Sequence, residues 1–192
     1  MKYRHLGSTG LEVSEIGLGA NSFGMPGRRD RPESAAIIHA AIDQGVNFVD
    51  TSNVYATGLS EEYIGHALAG RRDEMLIGTK FGSMRRQGPN NFGGSRLFVM
   101  RSVEESLARL QTDYIDVYMI HRPDTRMPIE ETLRALDDLV RDGKIRYTTG
   151  CNFEAWRITD AQWTANQNGF VPFAASQFAY SMMARGAEAE MI

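Results

Sequence analysis

One cysteine, Cys151, stands in the whole chain. That excludes an internal disulfide and a metal centre built from several thiolates. No apolar run approaches the ~20 residues that a membrane span needs. None follows Met1-Lys2-Tyr3-Arg4-His5 either, so no secretory signal is expected. A cytoplasmic setting with no membrane partner is the expectation. Blocks of basic charge are missing as well. Lys and Arg number 21 against 24 Asp and Glu, for a net charge of −3, with both signs scattered along the chain. A nucleic-acid partner would call for the opposite pattern. What is there is a chain of 192 residues, 42% hydrophobic and 23% charged, enough for one domain with a substantial core.

Tyr3–Leu6 and Leu11–Val13 flank Gly7-Ser8-Thr9-Gly10, the pattern of a hairpin. Ile16-Gly17-Leu18-Gly19 is a short apolar run followed by a glycine-rich loop to Gly27. Asp30-Arg31-Pro32-Glu33 marks a helix start, with a cap, a first-turn proline and an acid at the positive end. Ala35, Ile37, Ile38, Ala41 and Ile42 form its apolar stripe, and Gly45 ends it. The same grammar then repeats. Val46–Asp50 predicts a strand, and Ser60-Glu61-Glu62 opens a helix to about Leu68. Met75–Thr79 predicts a strand ending at Lys80. After the polar loop Gly82–Gly94, Ser95 caps a helix with Leu97, Phe98, Met100, Val103, Leu107 and Leu110 apolar. Tyr114–Ile120 is a strand ending at His121. Pro128 opens a helix with Leu133, Leu136, Leu139 and Val140 inward. Ile145–Thr149, Glu154–Asn166 and Phe173–Gln177 read as strand, helix and strand, and Gly186 begins a further helix.

Strand and helix alternate at roughly 30-residue intervals, which implies parallel strands joined by right-handed crossovers. The strands are apolar on both faces, as buried parallel strands are. An open dinucleotide-binding sheet would want G-x-G-x-x-G after the first strand, and Gly17, Gly19 and Gly24 do not fit that spacing. In a (β/α) barrel all strand C-termini share one rim, where active sites form. The barrel is the expectation. Only six strands can be read, against the eight of a closed barrel, and open edges are hazardous. The 192 residues are therefore read as a single barrel domain of about six βα units whose C-terminal part is missing.

The residues that look chemical fall on that rim. Phe48-Val49-Asp50-Thr51-Ser52-Asn53-Val54-Tyr55 begins as a strand, stops at an acid and presents a phenol five residues on. Two later strands end in Lys80 and His121. A free tyrosine, pKa near ~10, is a poor acid at neutral pH, and an ammonium such as Lys80 close by would lower it. Asp50 would hold Lys80 charged and aimed, and His121 would polarise or fix an oxygen near the phenol. Such an acid suits proton donation to a carbonyl oxygen. No serine or cysteine is paired with a base as a hydrolase nucleophile is. Hydride from a nicotinamide is the natural partner, since no side chain donates one.

At this point the chain resembles the aldo-keto reductase superfamily over essentially its whole length. The resemblance is carried by Gly17-Leu18-Gly19, Phe48-Val49-Asp50-Thr51-Ser52 with Tyr55, Ile77-Gly78-Thr79-Lys80, Asp116 through His121, Gly143-Lys144-Ile145-Arg146-Tyr147, and Ser176-Gln177. It implies a TIM (β/α)8 barrel with an N-terminal β-hairpin plugging its bottom. It also implies an NADP(H)-dependent, metal-free reductase of aldehydes and ketones, with NAD(H) left open. Asp50, Tyr55, Lys80 and His121 fall on the family's catalytic tetrad, with Tyr55 as the acid. Cofactor contacts fall on Asp50, on Ala20 and Asn21 after the first strand (backbone roles only), on Cys151-Asn152 in place of a Ser-Asn pair, and on Gln177. Asn152 keeps the amide, while Cys151 replaces a hydroxyl with a weaker thiol donor. The resemblance also extends to channel β-subunits, which share the Tyr-x-x-Gly-x-x-Glu pattern and use cofactor occupancy as a signal. In some of them the histidine is replaced, so His121 tilts toward turnover. An inactive fragment is the third reading.

Other residues are read more plainly. Cys151 fills a buried strand end. His5 and His66 are surface or helix residues. Met182 and Met183 are core filler. Arg122-Pro123-Asp124 shapes a turn, or Arg122 touches substrate. The loop Gly82–Gly94, with Arg85, Arg86 and Asn90, is long enough to border a substrate pocket.

Overall fold

The structure, a computed structural model, describes residues 1–84 and 87–192. β1 (Tyr3–His5) and β2 (Glu12–Ser14) pair antiparallel, with Tyr3 opposite Ser14. The hairpin is sewn to the N-terminal ends of the main sheet. Asn47, just before Phe48, accepts from the Ser14 N–H (2.7 Å) and donates to the Glu12 carbonyl (3.0 Å). Gly7, in the hairpin turn, has φ +57°, and a Cβ there would lie 1.9 Å from the carbonyl oxygen of Ala174. Only glycine permits that approach, so the turn closes the bottom of the fold against the segment at Ala174.

Six strands follow in chain order: β3 (Leu18–Gly19), β4 (Phe48–Asp50), β5 (Leu76–Phe81), β6 (Ile115–Ile120), β7 (Ile145–Cys151) and β8 (Ala175–Gln177). Each pairs in parallel with the next, so the sheet order is the sequence order. That is the topology of a barrel wall, with β3 and β8 as its two edges. Side chains alternate across it. In β6, Val117 and Met119 face the barrel interior, where with Leu6, Phe48 and Thr149 they line a largely apolar cavity of about 280 Å³. Tyr118 faces outward, stacked on Phe81 at 4.8 Å.

The outer layer is α1 (Arg31–Asp43), α2 (Leu59–Ala67), α3 (Arg96–Leu110), α4 (Ile129–Arg141) and α5 (Ala155–Asn168). The cap at Asp30 forms as a reciprocal box with Glu33, and Ser95 accepts from the Phe98 N–H at 3.4 Å. Ile38, Ile64, Val99, Val103, Leu133, Leu136 and Leu139 are buried in the main core between helices and sheet. By the ~25 cal/mol per Å² of apolar burial, each such side chain stabilises the fold by roughly 1.5–3 kcal/mol.

Three expectations are corrected. Leu97 is 60% exposed, because the buried stripe of α3 runs through Val99, Val103, Ser106 and Leu110, and at ~100° per residue Leu97 falls on the far side. Met182 and Met183 are 90% and 95% exposed, beyond the last strand, where among the described residues no helix covers them. Gly186 begins only a short 3-10 turn, Gly186–Ala189, with no side-chain cap at Arg185.

Candidate active site

Beyond Asp50 the chain keeps pairing with β5: the Thr51 N–H donates to Gly78 O (2.8 Å) and the Asn53 N–H to Lys80 O (3.1 Å). The two-residue alternation therefore continues past the strand. Asp50 and Ser52 face the mouth of the barrel. Thr51 turns behind it, sharing a hydrogen bond with Ser60 (2.8 Å), whose hydroxyl donates to Ala20 O (2.7 Å). Lys80, 1% exposed, donates from Nζ to Asp50 Oδ1 at 2.5 Å and to Thr51 O at 3.0 Å. A buried ammonium requires such partners, since desolvation otherwise expels its charge.

Tyr55 opens a turn, Tyr55–Gly58, in which Ala56 (φ 48°), Thr57 (φ 57°) and Gly58 (φ 105°) are successively left-handed. For Ala56 and Thr57 this costs roughly 1–2 kcal/mol each. The strained turn swings the phenol over the Lys80–Asp50 pair. Lys80 Nζ lies 5.4 Å from the ring centroid, and the His121 ring meets it edge-on at 5.9 Å. One expectation reverses here. The Tyr55 pKa is raised, first by burial, then by the charge of Asp50 and then by Cys151.

His121 is held by its backbone N–H on Phe81 O (2.8 Å), and its Nδ1 lies 3.2 Å from Ser52 Oγ. Burial, then Lys80 and then Arg122 push its pKa down to about 4, so the ring is neutral at physiological pH. Opposite it, Asn152 takes the left-handed conformation (φ 59°) and donates from Nδ2 to His121 O (3.0 Å) and to Cys151 Sγ (3.1 Å). Cys151 Sγ donates in turn to Gln177 Oε1 at 3.2 Å. Burial raises the thiol's pKa, which keeps it protonated and a donor.

Asp50, Tyr55, Lys80, His121, Cys151, Asn152 and Gln177 thus line one cleft of about 330 Å³, with Phe178 and Ala179 on its rim. Ala20 and Asn21 are not in its lining. Ala20 is fully buried, and its N–H and carbonyl bond Asp50 O and Ser60 Oγ. Arg85 and Arg86 lie outside the described residues. The described part of their loop binds the β6–α4 corner rather than the cleft: Phe92 stacks on Arg126 at 3.9 Å, and the Gly94 N–H donates to Asp124 Oδ2 at 3.1 Å. Sequence reasoning missed Ser52, although its place two residues after Asp50 on a continuing strand is a usable signal. It also missed the buried Glu61, which accepts from Thr79 Oγ1 (2.5 Å) and Arg109 Nε (2.7 Å) and ties α2 and α3 to β5 beside Lys80. Among the described residues no helix is long and apolar enough to cross a membrane.

The profile of the aldo/keto reductase family matches residues 15–192. The chain belongs to that family. An oxidoreductase of Bacillus subtilis (strain 168), YrpG, is 37% identical over 203 aligned positions, covering 100% of this chain and 62% of the relative. The aldo-keto reductase AMT2 of Alternaria alternata is 38% identical, covering 99% and 60%. A protein of Oryza sativa subsp. japonica named as a probable voltage-gated potassium channel subunit beta is also 38% identical, covering 96% and 57%. The chain spans about three fifths of the length of these curated relatives. Aldo/keto reductases are TIM barrels, and the six-stranded parallel wall with its outer helices is an incomplete one.

Proposed function

We propose that this chain carries the reaction centre of a nicotinamide-dependent carbonyl reductase acting on aldehydes or ketones. The observation that carries the reading is the convergence of a phenol, a buried ammonium–carboxylate pair and a neutral imidazole on one cleft. Tyr55 gives its proton to the carbonyl oxygen as negative charge builds there. An alkoxide is more basic than a phenolate, so this transfer runs downhill even from a raised pKa. Lys80, held by Asp50, then steadies the phenolate that remains. His121, neutral and held with Nδ1 3.2 Å from Ser52 Oγ, orients the carbonyl oxygen.

The cleft fits a nicotinamide carboxamide. Cys151 occupies Gln177 Oε1, which leaves Gln177 Nε2 to donate. His121 O and Cys151 occupy Asn152 Nδ2, which leaves Asn152 Oδ1 to accept. One donor and one acceptor complement a primary amide. When bound, the reduced nicotinamide supplies the hydride. NADP(H) is the form the family resemblance favours.

Tyr55→Phe is the test. Aldehyde-dependent loss of reduced-nicotinamide absorbance should fall at least ~100-fold, while NADPH affinity, read by fluorescence titration, stays within about twofold. Comparable turnover by the variant would remove Tyr55 from the acid role. The rice relative, and one of Arabidopsis thaliana at 39% identity named in the same way, support a second reading, a cofactor-occupancy sensor. Tight NADPH binding with no wild-type turnover on any aldehyde would favour it.

A further inference from the structure

Ser52 is fully buried on the strand extension that carries Asp50. Its hydroxyl has three polar neighbours. His121 Nδ1 lies 3.2 Å away and the Lys80 carbonyl 3.5 Å, while the Val54 N–H donates to Oγ at 3.5 Å. A hydroxyl owns one proton, so it serves His121 or Lys80 but not both. The Lys80 carbonyl already accepts from the Asn53 N–H at 3.1 Å. At 3.5 Å it is also far for an O–H···O bond, which ordinarily spans ~2.5–3.0 Å. Nδ1 has no other polar partner among the described residues, and a desolvated ring nitrogen left unpaired is costly. Were Nδ1 the donor, the Ser52 proton would have only the distant Lys80 carbonyl. With Ser52 as the donor, its oxygen accepts from Val54 and its proton takes the nearest acceptor. A neutral imidazole carries one N–H, and His121 is neutral at physiological pH. The ring proton then belongs on Nε2, which has no partner among the described residues, on a ring that lines the cleft and meets Tyr55 edge-on at 5.9 Å.

We propose that Ser52 is a positioning residue for carbonyl reduction: its hydroxyl donates to His121 Nδ1 and so fixes the tautomer whose Nε2–H donates to the carbonyl oxygen. The proposal rests on the reductase reading above. The other tautomer would turn a lone pair toward that oxygen and repel it. Negative charge builds on the oxygen as the reaction proceeds, so the donor counts for more in the transition state than in the ground state. The effect of Ser52 therefore belongs in kcat.

The experiment has two arms, both on the full chain. In the first, the histidines are labelled with nitrogen-15 and long-range proton–nitrogen spectra are recorded near neutral pH. The His121 signals are those that vanish in His121→Gln. Wild type should show the Nε2–H form, and Ser52→Ala should shift the Nδ1 resonance and populate the Nδ1–H form. In the second, kcat for benzaldehyde reduction by NADPH should fall about fivefold in Ser52→Ala, the worth of one neutral hydrogen bond. KM for NADPH should stay within about twofold. Ser52→Cys, a weaker donor, should fall between the two in both arms, and it decides by the same readings should Ser52→Ala not fold. A purely structural role would lower stability without moving the tautomer. A wild-type ring protonated on Nδ1, a variant ring with the wild-type spectrum, or a shifted tautomer with unchanged kcat each overturns the proposal. A Ser52-dependent tautomer in a wild type that reduces no aldehyde would uphold the hydrogen-bond assignment and overturn the reductase reading instead.

Discussion

His121 should make the protein acid-labile in a defined window. Its pKa falls from the ordinary 6.5 to about 4 on folding. Unfolded chains therefore bind a proton that the folded state refuses between those values. By linkage, stability is complete above pH 6.5 and is lost as pH falls toward 4. A displacement of that size corresponds to roughly 3.4 kcal/mol at most. The ring is only partly buried, and water at the mouth screens it, so about 1–2 kcal/mol is the working figure. The assay is urea unfolding of wild type and His121→Gln at several pH values from 4 to 7. Wild type should lose that stability across the window, and the variant should lose correspondingly less. Parallel profiles would refute the reasoning, since they would mean that the ring titrates alike folded and unfolded. A kinetic corollary accompanies it: the pH–rate profile of carbonyl reduction should show no acid limb near 6.5, because the imidazole is already neutral there.

Ala56→Gly should stabilise the Tyr55 turn by about 0.5–1 kcal/mol, as relief of left-handed strain outweighs the added freedom of the unfolded chain. In a chain of this size that raises Tm by roughly 2–4 °C in a thermal melt, and a lowered Tm would show that the turn stores no strain. Glu61→Leu removes a carboxylate that is 0% exposed, takes the acceptor from the Thr79 hydroxyl and leaves the Arg109 guanidinium, among the described residues, only Glu105 at 3.7 Å and Ser106 Oγ at 3.4 Å. A loss of about 3–5 kcal/mol is expected by chemical denaturation, and a near-neutral change would mean that Arg109 finds water instead.

Periodicity and punctuation in the chain itself determined the alternation of strand and helix, the Asp30 and Ser95 caps, the hairpin, and the places where Asp50, Lys80 and His121 end their strands or lie near those ends. These follow from local rules: a two-residue strand repeat, a 3.6-residue helix repeat, and capping by neighbours a few residues away. Because consecutive parallel strands lie side by side, residues at three strand ends also had to meet on one rim. Tertiary structure alone decided the rest. The Tyr55 pKa is raised rather than lowered because burial, and then the charge of Asp50, act through spatial neighbours that no linear pattern encodes. Ser52 meets His121 across 69 residues of sequence, and the backbone of Ala20 is taken up by Asp50 and Ser60. Leu97, Met182 and Met183 look apolar enough for a core, yet in the fold they face solvent. Residue type and local spacing set the elements, whereas electrostatics and burial depend on what the folded chain places a few ångströms away.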